Sequence, residues 1–226
     1  MKNYRFLLLP CLAYGVLCLW MFWQKFSFLY LMLPWNVFLA GLPLLFARRG
    51  MNFWKQGHRR KGGVFLALWL LFFPNALYML TDTIHLSGDV FGEVNEMARY
   101  TGGPSVLYTM EPLLWVKVFL IGAGVVMGVL LGLESLRLLH RWVYKQKGWK
   151  YGLLFATGVS LLGGFGIYIG RFLRFNSWDV LRPWDLLREI GESLSLFTWQ
   201  FTGMTALAIG LLFWFYCLLV ENLRNH

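Results

Sequence analysis

Residues 64–86 read VFLALWLLFFPNALYMLTDTIHL and decide how the chain folds. The stretch begins with a long apolar run and ends in a polar segment that includes Thr81, Asp82 and His85. A run of this length and composition is typical of a helix that crosses a membrane. Because an ionisable side chain at membrane depth is energetically costly, the polar end of the stretch is a candidate functional site.

The composition of the whole chain also indicates a membrane protein. Hydrophobic residues make up 58% of its 226 residues and charged residues only 14%, whereas soluble domains contain about 25% charged residues. Six apolar runs approach the roughly 20 residues that a helix needs to cross the hydrocarbon core. The sequence therefore predicts an all-α integral membrane protein, a single transmembrane domain over residues 1–226 with six transmembrane helices. The runs cover residues 6–23, 26–46, 64–80, 113–133, 151–169 and 197–220.

Basic residues cluster in alternate segments between the runs and account for the net charge of +10. Because cytoplasmic loops carry the excess of lysine and arginine, these segments and both termini are predicted to be cytoplasmic. The polar ends of spans three and five are then extracytoplasmic. No groove-like pattern of basic and aromatic residues accompanies the charge, so no nucleic-acid partner is expected. The main clusters are Arg48, Arg49, Lys55, Arg59, Arg60 and Lys61 after the second run, and Arg137, Arg141, Lys145, Lys147 and Lys150 after the fourth.

The first run resembles the apolar core of a signal peptide, but no small-residue cleavage site follows it, so we expect an uncleaved first span. The three cysteines, Cys11, Cys18 and Cys217, all fall inside apolar runs. We expect them to pack against neighbouring helices rather than to form disulfides or a thiolate metal site.

The link between spans three and four is long enough to have internal structure. Apolar residues at Val90, Phe91, Val94 and Met97 recur at helical spacing. This spacing predicts a short extracytoplasmic interfacial helix between spans three and four. In the link after span five, Pro183 is suited to the first turn of another helix.

Polar side chains form a stripe on the continued third helix. At about 100° per residue, Asn75, Tyr78, Asp82 and His85 project within an arc of roughly 80°. One hypothesis makes His85 a catalytic acid or base that Asp82 orients, with Thr81 and the stripe binding the ligand. The alternative, which the residue types favour about equally, is a helix terminus whose side chains bind the adjoining loop.

A second polar cluster, GRFLRFNSWD, follows span five. Arg171 and Arg174 lie three residues apart on one helical face, where two guanidinium groups can hold a phosphate or carboxylate. The alternative is an anchor for lipid headgroups. Asn176 and Asp179 are predicted to start the next helix and are also candidate ligand-binding residues.

Lys117 is the least expected charge, because it lies inside the outer part of span four. A lysine at this depth usually faces the bundle and has an acidic partner. Glu111, Asp82 and Asp179 are the candidates on the same side, and Lys117 is included among the candidate ligand-binding residues. An ion pair with a purely structural role is at least as compatible with the sequence.

A metal site at Asp82 and His85 would need a third ligand, for which Asp89, Glu93 and Asp179 are candidates. Nothing in their spacing requires one, so no metal is predicted, and the sequence names no cofactor.

Two long motifs, LWLLFFPNALYMLTDTIHL and IYIGRFLRFNSWDVL, are similar to the signature of a family of multi-span membrane proteins. This family is domain of unknown function 1361, and the resemblance extends from about span two to span six. It implies a polytopic protein of the bacterial cytoplasmic (inner) membrane, and it implies no activity, cofactor or catalytic residue.

The leading functional hypothesis is an extracytoplasmic-facing polar pocket that binds an anionic or amphiphilic envelope molecule, such as an anionic lipid-linked ligand. The pocket would serve binding alone or the chemistry of a transferase or hydrolase, so the sequence leaves enzyme activity open. A transporter or permease is one alternative. A non-catalytic membrane partner or assembly subunit is another, and membrane lipids are partners in every case.

Overall fold

The computed structural model describes residues 8–97, 102–175 and 183–225. Within these residues six helices are long and apolar enough to cross a membrane, which confirms the predicted number. Four of them are α1 (Leu8–Lys25), α2 (Leu29–Lys55), α4 (Pro112–Lys147) and α7 (Leu196–Asn225). The other two change their winding towards the end: α3 (Arg59–Tyr78) continues as a 3-10 helix over Met79–Leu86, and α5 (Trp149–Tyr168) continues as a π-helix over Ile169–Leu173.

Helix α3 lies at the centre of the bundle. Phe73 and Leu77 are fully buried in a core that also contains side chains of α2, α4, α5 and α7. Ala76 and Met79 belong to a second core, which α3 shares with α1, α2 and α4. The residues on both sides of the polar stripe are therefore fixed by packing.

Glycines on two neighbouring helices allow α3 to approach closely. A Cβ at Gly128 of α4 would lie 2.9 Å from the carbonyl oxygen of Ala76, and one at Gly132 would lie 2.9 Å from the Ala76 methyl. On α5, a Cβ at Gly166 would overlap the ring of Pro74. Small residues have this role in membranes because helix association there depends on close van der Waals contact.

A small antiparallel sheet lies in the link where the sequence predicts an interfacial helix. Strand β1 (Gly92–Val94) pairs with β2 (Val106–Tyr108), with Gly92 opposite Tyr108 and Val94 opposite Val106. The predicted helix is therefore wrong for residues 92–94. A glycine such as Gly92 inside a helix lowers the stability of that helix by about 1 kcal/mol. As a strand, this segment instead forms hydrogen bonds with β2, a partner that the local spacing of apolar residues does not reveal.

A short helix does occur in the link after span five. Helix α6 (Pro183–Ser193) includes Pro183, which the sequence places in a first helical turn, as its first described residue. All three cysteines are free thiols, with Cys18 fully buried and Cys11 and Cys217 half-buried. Their positions fit the packing role expected of them.

Candidate functional site

A buried carboxylate connects three spans near the end of α3. Asp82 is 2% exposed and uses both of its oxygens. Its Oδ1 accepts a hydrogen bond from Arg171 Nη2 at 2.9 Å, and its Oδ2 accepts one from Asn36 Nδ2 at 3.0 Å. Because Asn36 belongs to α2 and Arg171 to the end of α5, the contacts join these helices to the 3-10 end of α3.

The guanidinium of Arg171 has further partners in the same place. The hydroxyl of Thr81 accepts hydrogen bonds from Arg171 Nε, at 2.8 Å, and from Nη2, and it donates to the carbonyl oxygen of Tyr78 at 2.6 Å. The Arg171 Cζ atom lies 4.3 Å from the centre of the Tyr78 ring, as in a cation–π contact. We refer to Asn36, Tyr78, Thr81, Asp82 and Arg171 as the Asp82 cluster.

Local winding positions the members of this cluster. Arg171 lies in the π-helical turn Ile169–Leu173, and such turns are frequent at functional sites. On the other side, the 3-10 helix directs Thr81 and Asp82 towards the same guanidinium. The cluster is therefore made where both helices depart from regular α geometry.

The structure does not bring His85 to Asp82. His85 is exposed, and within the described part of the chain its imidazole has no hydrogen bond. A 3-10 helix rises about 2 Å per residue, so His85 lies about 6 Å further along the axis than Asp82. Since both carboxylate oxygens already have partners, the orienting contact that a catalytic Asp82–His85 pair needs is not present.

Lys117 has an acidic partner, as predicted, but the partner is Asp89 of the link after span three. The Lys117 Nζ and Asp89 Oδ2 atoms are 2.6 Å apart, and both side chains are mostly buried. Glu111, one of the expected partners, instead pairs with Lys25 at 2.6 Å. The other two are accounted for differently, since Asp82 binds Arg171 and Asp179 lies outside the described residues. Lys117 therefore holds the link against α4.

Arg174 differs from Arg171 in its surroundings. It follows the π-helical turn in a left-handed conformation, with φ of 60°, and its side chain is exposed. Among the described residues it has no ion pair or hydrogen bond. The two arginines therefore do not form one anion-binding pair. Asn176 and Asp179, the remaining members of the second cluster, lie outside the described residues.

A cavity of about 480 Å³ lies between α2, α3 and the end of α5, beside the Asp82 cluster. Its polar wall includes Asn36, Asn75 and Tyr78, and its other walls are apolar side chains of the same helices. The hydroxyl of Tyr78 makes no hydrogen bond to the described residues. The cavity thus combines an apolar interior with a polar end that contains two amides and a phenol.

Two polar features escaped the sequence reasoning. Asn36 was not singled out, although an asparagine inside the apolar run 26–46 was a visible signal. The other feature is a buried ion pair between Glu134 and Arg137. Arg137 donates two hydrogen bonds to the Glu134 carboxylate, from Nε at 2.6 Å and from Nη2 at 2.7 Å. Tyr216 of α7 donates a third hydrogen bond to Glu134 at 3.1 Å. An acid and an arginine three residues apart near the end of span four were the available signal.

Histidine, cysteine and acidic side chains do not gather into a metal site within the described ranges. No group of three or more of them there is placed to hold an ion. Of the third ligands considered from the sequence, Asp89 is paired with Lys117 and Glu93 lies on β1.

A family model described as "Protein of unknown function (DUF1361)" matches residues 35–215. The chain belongs to this family. The DUF1361 match confirms the resemblance seen in the two motifs and includes every described member of the Asp82 cluster. Comparisons with curated proteins and with solved structures give no match. The family description supplies no activity, so the function has to be inferred from the geometry.

Proposed function

We propose that this protein binds an anionic amphiphile of the cell envelope in the cavity beside the Asp82 cluster. The apolar chain would lie between α2, α3 and α5, and the headgroup would lie at the end formed by Asn36, Asn75 and Tyr78. The observation that carries the proposal is a cavity of about 480 Å³ whose polar groups are confined to one end. Ligand pockets typically have such apolar walls and a few placed polar groups.

The charges at this end favour an anionic headgroup. Asp82 and Arg171 contact the lining residues Asn36 and Tyr78 and neutralise each other, so together they add no net charge beside this end. Arg174 lies in sequence between Gly170 and Phe175, which both line the cavity, and its exposed guanidinium has no acidic partner in the described part of the chain. A phosphate or carboxylate at the mouth of the cavity would provide that partner.

The distribution of basic residues supports an extracytoplasmic position for this end. The links on the opposite side of the bundle contain the lysine and arginine clusters, which favours a cytoplasmic position for them and for both termini in a bacterial inner membrane. The headgroup would then be reached from the envelope side.

His85 is the side chain proposed for proton transfer, should the bound molecule also be a substrate. It is exposed near the cluster and its imidazole is not occupied by the described residues. Asp82 would then act through Arg171, because its oxygens are bound to Arg171 and Asn36. Lys117 would keep the adjoining link in place.

Photolabelling tests the binding proposal. Full-length protein in phosphatidylcholine nanodiscs is given trace phosphatidylglycerol or phosphatidylcholine, each with a diazirine in its acyl chain. We expect the phosphatidylglycerol probe to label the walls of the cavity more strongly, at peptides that contain Pro74 or Gly166. Because a hydrogen bond to a charged group contributes about 1.5–3 kcal/mol, Arg174→Gln is expected to lower this preference about tenfold.

Lys25→Gln is the matched control, because Lys25 is a half-exposed cation at the end of α1, paired with Glu111. It is expected to leave the preference unchanged. Equal labelling of the cavity by both probes, or a preference that Arg174→Gln does not alter, would contradict an anion-selective pocket.

A further inference from the structure

A second cavity adjoins the first on its side nearer the basic links. It has a volume of about 460 Å³ and shares the lining residues Ala67, Leu70 and Leu162 with the first cavity. Its far end reaches Trp142 on α4 and Leu154 on α5. The two cavities therefore follow the same line between α3 and α5.

The length of this line exceeds one leaflet of the membrane. Tyr78 and Leu66 mark its two ends on α3, and at 1.5 Å per residue they are about 18 Å apart. On the α5 side, Gly170 and Leu154 are about 24 Å apart by the same rise, with the π-helical end treated as α-helix. Half of a hydrocarbon core is about 15 Å thick. A chain that fills both cavities from the polar end would therefore cross the midplane.

The second cavity suits a hydrocarbon chain. Its lining contains only aliphatic, aromatic and glycine residues, whose polar side-chain atoms are the indole nitrogens of Trp142, at the far end, and of Trp69. The Trp69 Nε1 atom donates to the Ser135 hydroxyl at 3.1 Å, so it is already satisfied. A headgroup would find no charged side chain there, whereas an apolar chain would replace lipid at no electrostatic cost.

The line of cavities is open towards the lipid. Leu162, at the junction of the two cavities, is 54% exposed, and Leu154 at the far end is 69% exposed. A chain dissolved in the bilayer could enter sideways without leaving the hydrocarbon. Its headgroup would remain at the polar end beside Tyr78.

We propose that the two cavities form one groove for a single-chain amphiphile whose chain is longer than a leaflet, of the polyprenyl phosphate class. The proposal rests on the proposed function, because the first cavity must hold the headgroup end. It adds that the second cavity selects for chain length. Ordinary phospholipids have chains that end near the midplane and would leave the second cavity to other lipids.

Gly158 provides a site at which the second cavity alone can be filled. It lines that cavity and not the first, and a Cβ at this position meets no atom within 4 Å. Gly203 on α7 is a matched control, because its Cβ would also meet open space and it lines neither cavity. The variants Gly158→Phe and Gly203→Phe therefore differ in location rather than in the residue introduced.

Retention of two phosphates is then compared. Full-length protein in phosphatidylcholine nanodiscs receives equal amounts of undecaprenyl phosphate and farnesyl phosphate, and native mass spectrometry measures which one stays bound. The farnesyl chain is shorter than one leaflet, while the phosphate is the same. We expect wild-type protein and Gly203→Phe to prefer undecaprenyl phosphate, and Gly158→Phe to lose that preference while it keeps farnesyl phosphate.

Each outcome is informative. Equal retention of both phosphates by wild type, a preference unchanged by Gly158→Phe, or saturation of the second cavity by phosphatidylcholine would overturn the long-chain proposal while leaving the headgroup site in place. Failure to retain either phosphate, together with no effect of Arg174→Gln on photolabelling, would instead reject the proposed function. Gly158→Leu serves as a second, smaller plug if the phenylalanine variant does not fold.

Discussion

Asp82 is the residue on which the geometry of the candidate site depends. It is almost fully buried and accepts hydrogen bonds from two helices other than its own. Taking a carboxylate out of water costs several kcal/mol unless a cation and further hydrogen bonds compensate it. Arg171 and Asn36 provide this compensation, so the cluster is self-consistent only when all three helices are in place.

Asp82→Asn is expected to lower the free energy of unfolding by about 3–5 kcal/mol, because it leaves the largely buried Arg171 without its counter-charge. Titration of the purified protein with sodium dodecyl sulfate measures the change. Asp185→Asn is the matched control, since Asp185 is an exposed aspartate on α6, and its effect should stay within about 0.5 kcal/mol.

The double variant Asp82→Leu/Arg171→Leu separates the pair from its surroundings. Replacing both charges of a buried pair is often far less harmful than removing one. The double variant should therefore be more stable than Asp82→Asn. Equal losses in the two proteins would show that the ion pair does not connect the helices as described.

His85→Ala is expected to leave stability unchanged, within about 0.5 kcal/mol, because the side chain is exposed and has no hydrogen bond to the described residues. Labelling of the cavity should also be retained. If His85 transfers a proton, the lipid and cell-wall precursor profile of a deletion strain carrying His85→Ala will match that of the empty strain. A wild-type profile would leave a binding or partner role and exclude catalysis by His85.

Close contact between helices fixes the position of the polar stripe at the scale of the element. Gly128 brings the backbone of α4 against Ala76, one turn before the 3-10 segment that carries Asp82. Gly166 does the same for α5 at Pro74. Because α3 is held on both sides, a small shift of either neighbour would move the site.

Gly128→Ala is expected to destabilise the protein by about 1–3 kcal/mol, because overpacking a close contact forces the backbones apart. A Cβ there would lie 2.9 Å from the Ala76 carbonyl oxygen. Gly122→Ala, on the same helix but with no atom within 4 Å, should instead be neutral or stabilising by up to about 1 kcal/mol through helix propensity. Unfolding in dodecyl sulfate compares the two; equal effects would contradict close packing at Gly128.

The spans were predictable because the hydrocarbon core imposes a length of apolar sequence that local composition reveals. The ends of the helices were harder to predict. Helix α4 continues to Lys147, well past the apolar run 113–133, because helical hydrogen bonds persist beyond the hydrocarbon core. The helix expected around Val90 is partly a strand, because its partner Val106–Tyr108 lies elsewhere in the link. Local spacing cannot show such a partner.

The same limit applies to the candidate site. The sequence located Asp82 and Arg171 in two polar clusters, and the charge of the links suggested that both lie on one side. It did not show that they form an ion pair, nor that Asn36 on α2 completes it, because these contacts join residues far apart in the chain. Asp82 was instead assigned to His85, which is three residues away, whereas both of its carboxylate oxygens bind Asn36 and Arg171 from other helices.

At the scale of the whole molecule, buried polar contacts connect different helices of the bundle. The Asp82–Arg171 ion pair joins α3 to α5, and Glu134 on α4, which pairs with Arg137 of the same helix, accepts a hydrogen bond from Tyr216 of α7. The groove proposed above lies along α3 and α5, and its lining between the polar end and Leu154 has no charged side chain. Passage of an ion or a headgroup along it would be unfavourable, so the transporter hypothesis would need a different path.

The positive-inside rule predicts the orientation of the whole molecule, and cysteine accessibility tests that prediction. Ser87 lies just after the polar end of α3, and Gln146 lies near the basic end of α4; both are exposed. In a variant whose three native cysteines are replaced by serine, Ser87→Cys should react with a membrane-impermeant maleimide on intact cells. Gln146→Cys should react only after the inner membrane is opened, because the adjoining lysines and arginines favour the cytoplasm. Labelling at position 146 in intact cells would show that the predicted orientation is wrong. The amphiphile would then reach Arg174 from the cytoplasmic side.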